Sequence, residues 1–196
     1  MLTTEQSQFI AVLRSLVNLP DDEVAQVASL FQSHTLKRGD FFVRAGDAPR
    51  TIGFIVSGIL RLYYVDDEGN EYTKSFCAEN DFVAAYSALL LAQPSRLFIQ
   101  ALEDSRLLIA DYSVYRLLCE EHPCWKVINC KIAEGLFIKK EKRESTLLLD
   151  DAKTRYLNFL KEYPGLETRL KQHHIASSLG ITPVTLSRIR AQLKSH

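Results

Sequence analysis

Apolar positions recur at helical spacing in the N-terminal part of the chain. Phe9, Leu13 and Leu16 fall on one face of a first predicted helix. A second helix is expected after Pro20, because acidic residues occupy its first turn. Its apolar face consists of Val24, Val27, Ala28 and Phe31.

The pattern changes between about Thr35 and Asp111. Apolar runs of strand length, such as IGFIVS and ILRLYYV, alternate with turn signals that include Arg38-Gly39-Asp40 and Asp66-Asp67-Glu68-Gly69-Asn70. Many short strands separated by such turns favour an antiparallel barrel or sandwich. The stretch from Phe82 to Leu91 is less strand-like and is expected to contain a short helix.

A helical pattern returns after residue 111. A short helix carrying Tyr112, Tyr115 and Leu118 is interrupted at Pro123. A helix of about 25 residues then runs to Leu149, and at 1.5 Å per residue it spans roughly 37 Å. A helix of this length suits a spine or a subunit contact. Its heptad pattern weakens beyond Ile138, so dimerisation through it is a hypothesis.

The segment 172–190 has the residue types that a helix–turn–helix requires. Ala176 is small where the two helices must touch, and Gly180 tolerates the positive φ of a tight turn. Thr182 is placed to cap the second helix, and Pro183 then occupies its first position. The apolar positions between the helices are Ile175, Leu179, Ile181, Leu186 and Ile189.

The outer face of the second helix combines short polar side chains with arginine. Arginine can bind guanine bidentately, hydroxyl groups reach bases or phosphates, and valine can contact a thymine methyl group. The predicted DNA-contacting residues are Thr182, Val184, Thr185, Ser187, Arg188, Arg190 and Gln192. The alternative is an ordinary helical hairpin with a solvated face.

Charge is distributed unevenly along a chain that is neutral as a whole. The chain has 24 basic and 24 acidic residues. Residues 1–151 hold 16 basic and 22 acidic side chains, whereas residues 152–196 hold 8 basic and 2 acidic side chains. A basic C-terminal end favours a polyanionic partner such as double-stranded DNA. A solvated charged surface is the alternative.

Composition and cysteine usage exclude several classes of protein. With 196 residues, 46% of them hydrophobic, the chain can bury a core. It shows neither an apolar run of membrane-spanning length nor a signal peptide, so a cytoplasmic protein without membrane contact is expected. The cysteines lack metal-binding spacing and are expected to be reduced and to pack as small apolar residues. They are Cys77, Cys119, Cys124 and Cys130.

Taken together, these motifs resemble the CRP/FNR family of bacterial transcription regulators over nearly the whole chain. The turns and strands around Lys37-Arg38-Gly39-Asp40, Glu68-Gly69-Asn70-Glu71 and Asn80-Asp81-Phe82 match its β-roll. The resemblance implies an α+β fold with an N-terminal antiparallel β-roll (jelly roll) flanked by helices. A long dimerisation helix and a C-terminal helix–turn–helix domain with a truncated wing follow. The expected segments are a sensor domain over 1–121, the connecting helix over 122–149 and the DNA-binding domain over 150–196.

The same resemblance implies a homodimer that binds a palindromic operator, with recognition helices about 34 Å apart. Arg188 stands at the family's base-reading arginine position, whereas Val184 replaces a glutamate that many members carry. RNA polymerase and a small-molecule effector are further candidate partners. The chain lacks a Gly-rich phosphate loop and a nucleophile motif, so it is not expected to be an enzyme.

The family's cyclic-nucleotide cassette is degenerate in this chain. Ala84-Ala85 replace a Gly-Glu pair whose carboxylate accepts from the ribose, and Arg96 is displaced by one position, so we expect no useful affinity for cyclic AMP. No cysteine precedes Cys77, which argues against an iron–sulfur cluster. Haem, with His122 or Cys77 as ligands, is not expected either.

Two further points stay open from the sequence. If the roll binds an effector, the polar candidates are Tyr86, Ser87 and Arg96, with Arg96 favouring an anionic compound. The alternative for Arg96 is an ordinary surface or salt-bridged arginine. The chain could also be a regulator without an effector. The alternative to DNA binding is a ligand-binding or protein-interaction module of the same fold.

Overall fold

The computed structural model describes residues 2–194. Helix α1 (Thr4–Leu16) begins with a capping box, in which the Thr3 hydroxyl accepts from the Gln6 amide and the Gln6 side chain accepts from the Thr3 amide. Helix α2 (Asp21–Leu30) follows Pro20 and carries three acidic residues in its first turn. These acidic side chains favour the positive end of the helix dipole.

Eight strands between Gln32 and Asp111 form two four-stranded sheets. The strands are β1 (Gln32–Leu36), β2 (Phe41–Val43), β3 (Thr51–Ser57), β4 (Leu60–Val65), β5 (Glu71–Cys77), β6 (Phe82–Val83), β7 (Phe98–Ala101) and β8 (Ser105–Asp111). Their orders are β1-β8-β3-β6 and β2-β7-β4-β5. In the first sheet β1 pairs with β8 antiparallel, from Gln32 opposite Ile109 to Leu36 opposite Ser105. The expected antiparallel jelly roll is therefore confirmed.

The helices predicted within Phe82–Leu91, after residue 111, up to Leu149 and in segment 172–190 are all present. Helix α3 (Tyr86–Leu91) lies between β6 and β7, and α4 (Tyr112–Glu121) follows β8 with Asp111 as its N-cap. Helix α5 (Pro123–Leu149) has 27 residues. The C-terminal helices are α6 (Ala152–Glu162), α7 (Leu166–Arg169), α8 (Gln172–Ser178) and α9 (Pro183–Lys194). The expected truncation of the wing concerns the chain beyond Lys194, outside the described residues.

The structure divides into two compact units. The first unit consists of the chain up to Leu62 together with Phe76–Glu134. The second unit consists of Tyr63–Ser75 together with the chain from Gly135 onward. The tip of the β4–β5 hairpin thus groups with the C-terminal helices, and the three segments expected from the sequence stay a prediction. No helix among residues 2–194 is long and apolar enough to cross a membrane.

The first unit holds two apolar clusters. In one of them α1, α2 and α5 cover β3, with Phe9 packed 5.1 Å from Phe54 between ring centroids. Trp125 is fully buried there, and its indole N–H donates to the carboxylate of Glu23. The other cluster fills the roll between the two sheets around Leu60, Ile99 and similar residues.

Candidate nucleic-acid interface

Helices α8 and α9 form the helix–turn–helix predicted from the sequence. Ala176 is fully buried, which shows why only a small side chain fits there. Gly180 adopts φ +65°, a conformation that favours glycine. The amide of Ile181 donates to the Ala176 carbonyl over 3.0 Å, and this bond closes the end of α8. Leu186 and Ile189 are buried and hold α9 against the unit's core.

The start of α9 is fixed by side-chain hydrogen bonds. The Thr182 hydroxyl accepts from the Thr185 amide over 3.2 Å, as expected of an N-cap, and Pro183 is the first residue of the helix. The Gln172 side-chain amide donates to the Pro183 carbonyl over 2.6 Å. Gln172 begins α8, so this bond ties the beginnings of the two helices together.

Most of the predicted DNA-contacting side chains are open to solvent. Val184 is 60% exposed. Thr182, Ser187, Arg188 and Gln192 are also exposed, and Thr185 is half-buried. Within residues 2–194, Arg188 makes no hydrogen bond or ion pair with another side chain. Its five N–H donors are therefore available to an external acceptor.

Arg190 is placed differently from the other predicted contacts. It is half-buried, and its Nε donates to the Tyr156 hydroxyl over 3.0 Å while the guanidinium lies 5.5 Å from the centre of that ring. The Tyr156 hydroxyl donates in turn to Glu167 over 2.7 Å. Burial and this carboxylate raise the pKa of Tyr156. Arg190 thus anchors α9 to α6, and its contact with DNA stays a prediction.

Sequence reasoning missed a set of contacts between the β4–β5 hairpin and α8. The Thr73 amide donates to the Ser177 hydroxyl over 2.9 Å, and that hydroxyl donates to the Glu71 carbonyl over 3.1 Å. Arg143 of α5 donates to the Thr73 and Ser178 carbonyls, each over 2.9 Å. We call these four hydrogen bonds the hairpin clasp. All of its residues lie in the second unit.

The predicted effector residues lie on the surface of the first unit, and their role stays a prediction. Tyr86, Ser87 and Arg96 are all exposed, and no hydrogen bond joins any two of them within the described chain. The Tyr86 ring packs edge-on against Tyr112, with centroids 6.4 Å apart. A cleft of about 400 Å³ lies nearby, and none of the three residues lines it. It is lined by Ala48, Pro49, Arg50, Ala88, Leu89, Ala92, Gln93, Asp111, Tyr112 and Ser113.

The cysteines differ in their surroundings. Burial raises the pKa of the Cys119 and Cys124 thiols, whereas the exposed Cys130 has its pKa raised chiefly by its hydrogen bond to Glu134. His122, one of the two residues considered as a haem ligand, accepts from the Cys124 amide over 3.2 Å. Across residues 2–194 no group of three or more His, Cys, Asp or Glu side chains is arranged to hold a metal ion.

Comparison with known proteins identifies the roll and the fold. Residues 33–122 match the cyclic nucleotide-binding domain family. The global nitrogen regulator of Synechocystis sp. is 25% identical, over 82% of this chain and 76% of that protein.

Solved structures share the arrangement of the chain at lower identity. FixK2 from Bradyrhizobium japonicum has a TM-score of 0.73 at 19% identity, covering 84% of this chain and 85% of its own. A CooA variant from Carboxydothermus hydrogenoformans has a TM-score of 0.73 at 22% identity, covering 100% and 87%. A crp/fnr-family regulator from Eubacterium rectale has a TM-score of 0.69 at 17% identity, covering 91% of this chain and 85% of its own. The Synechocystis protein is named a global nitrogen regulator, and the Eubacterium rectale protein a transcriptional regulator. Residues 33–122 therefore resemble a cyclic nucleotide-binding domain, and the resemblance of the chain to the CRP/FNR family of transcription regulators is confirmed.

Proposed function

We propose that this protein is a transcription regulator of the CRP/FNR type that binds a palindromic DNA operator as a homodimer. The observation that carries the proposal is the exposed face of α9, where Val184, Ser187 and Arg188 project from a helix whose opposite face is buried. A recognition helix needs this combination of a fixed backbone and free side chains in order to read base edges.

Helix α5 supports the homodimer. Seven of its large apolar side chains are exposed: Val127, Leu136, Phe137, Ile138, Leu147, Leu148 and Leu149. Phe137 is 66% exposed. Exposed apolar side chains in this number on one helix favour an interface, and a second copy of α5 is the partner that the family resemblance implies. A two-fold axis through this contact would present two recognition helices to successive turns of the major groove.

The signal that controls the regulator is proposed to be something other than cyclic AMP. Ala84 and Ala85 carry no carboxylate with which to accept from a ribose hydroxyl, and Ala85 is buried in the roll. If Tyr86, Ser87 and Arg96 bind an anionic effector, the ligand acts by shifting the population of DNA-competent dimers. Arg96→Ala should then change the response to that ligand while leaving unliganded DNA affinity unchanged.

Selection of binding sites from random double-stranded DNA tests the proposal. Wild type should enrich an inverted repeat, and the apparent affinity should fall steeply as salt rises, because phosphate contacts release counterions. Arg188→Ala should weaken binding by about 1–3 kcal/mol and relax the preference at one base pair in each half-site. Lys194→Ala removes the same charge from the far end of α9, so it should keep the wild-type base preference.

Two results would contradict the proposal. One is the absence of any enriched sequence, with or without the small-molecule fraction of a cell extract. The other is binding that does not depend on salt, which would favour the protein-interaction module instead.

A further inference from the structure

The hairpin clasp covers the open edge of a sheet. Strand β5 is the last strand in the order β2-β7-β4-β5, so no further strand formed by residues 2–194 pairs with its outward side. Glu71 and Thr73 are two residues apart and present backbone groups on the same side of the strand. Ser177 and Arg143 bind the Glu71 carbonyl and both the amide and the carbonyl of Thr73.

Each clasp residue uses a chemical property that few substitutes provide. The Ser177 hydroxyl accepts one hydrogen bond and donates another, so it joins two groups of the strand at once. Arg143 reaches two carbonyls on different elements through the two ends of its planar fork. Burial lowers the pKa of Arg143, as expected for a guanidinium drawn out of water. Thr73 is only 1% exposed, so water does not replace its partners readily.

The clasp acts on α8 immediately before the turn that leads to the recognition helix. Ser177 and Ser178 are the last residues of α8, and Gly180 lies in the turn that follows. The clasp leaves Val184 and Arg188 exposed, so it is compatible with reading DNA. The clasp therefore restrains the helix–turn–helix through α8 and leaves the exposed face of α9 uncovered.

We propose that Arg143 and Ser177 are positioning residues, which set the orientation of the recognition helix by holding α8 on the β4–β5 hairpin. The inference rests on the proposed DNA-binding function. Neither residue needs to contact DNA, because each acts through the backbone of α8. Loosening the clasp should make the dimer discriminate less between operators with different distances between half-sites. Contacts to the phosphate backbone should persist.

The first test is hydrogen exchange of the Thr73 amide in the full-length protein without DNA. Ser177→Ala removes its acceptor, so exchange should become at least about tenfold faster. Ser177→Thr keeps a hydroxyl and should restore slow exchange. Arg143→Gln should also speed exchange, whereas Lys142→Gln removes a charge from the neighbouring exposed position and should not. Unchanged exchange in both Ser177→Ala and Arg143→Gln would overturn the clasp.

The second test measures affinity for the selected operator and for versions with one base pair added to or removed from its spacer. Ser177→Ala and Arg143→Gln should bind the native spacing about 3- to 10-fold more weakly, the loss of one or two hydrogen bonds. They should also discriminate less between the three spacings, with unchanged affinity for non-specific DNA. Ser177→Thr and Lys142→Gln should behave as wild type.

The outcomes separate the two proposals. Equal loss of specific and non-specific binding, or full retention of spacing discrimination in the loosened variants, overturns the positioning role. If wild type selects no DNA at all, the proposed function fails, and with it the role in DNA reading. The exchange of Thr73 still decides whether the clasp holds α8.

Discussion

Replacing Gly58 with alanine should be one of the most damaging single-methyl changes in the first unit. Gly58 adopts φ +107°, a conformation that L-residues rarely adopt. A Cβ built there would lie 2.6 Å from the Cβ of Ser105 and 2.7 Å from its Cα, and would also contact its hydroxyl. Ser105 is fully buried and its backbone pairs with Leu36, so it has little room to move away. The Gly58 amide is further held by the Glu79 carboxylate over 2.8 Å.

Gly39 provides the matched control. It has φ +95°, and nothing lies within 4 Å of the Cβ it would gain. Gly39→Ala should therefore cost only the backbone strain, about 1–2 kcal/mol. Gly58→Ala adds a steric conflict with a fixed strand, about 1–3 kcal/mol more. The total for Gly58→Ala is then about 2–5 kcal/mol.

Urea unfolding followed by the fluorescence of Trp125 measures this difference. Trp125 is the single tryptophan of the chain and is fully buried in the same unit as both glycines. With a slope of about 2 kcal/mol per molar urea, the midpoint of Gly58→Ala should lie roughly 0.5–1.5 M below that of Gly39→Ala. Equal midpoints for the two variants would refute the reasoning, because only the steric conflict distinguishes them.

Two further outcomes follow from individual side chains. Glu134→Gln should lower the pKa of Cys130 toward its ordinary value and so raise the fraction of thiolate. Iodoacetamide should then alkylate Cys130 faster at pH 7.5, as measured by mass spectrometry. An unchanged alkylation rate would contradict the assigned cause of the pKa shift. Asp111→Ala should destabilise the protein by about 1 kcal/mol at neutral pH, because the carboxylate caps α4. The hydrogen bond from Ser113 depresses the pKa of Asp111. The stabilisation is therefore present above about pH 4 and fades as the pH falls through the lowered pKa. A gap between wild type and variant that stays constant down to pH 2 would contradict this.

The helix–turn–helix could be predicted from sequence because its requirements are local. The local geometry of the motif requires the residue types found at Ala176, Gly180 and Pro183, and the structure places all three as expected. The jelly roll was predictable for the same reason, since short strands and turns leave a local pattern. The exact pairing of its strands was not predictable from local pattern alone.

What could not be predicted depends on contacts between distant parts of the chain. Arg143 stands in a run of charged residues that reads as solvated surface, yet it is half-buried and holds two carbonyls. Its partner Thr73 is 70 residues away. Arg190 looks like a DNA contact by helical position, and only the fold shows that Tyr156 lies within reach of it.

The hairpin clasp also has a consequence for the order in which the protein is made. Ser177 is synthesised 104 residues after Thr73. At a synthesis rate of about 5–20 residues per second, the edge of β5 stays uncovered for roughly 5–20 s until α8 has been synthesised. An uncovered edge can pair with another nascent chain, and charged side chains discourage this. Asp66, Asp67 and Glu68 lie in the turn between β4 and β5, where their negative charge would oppose such pairing.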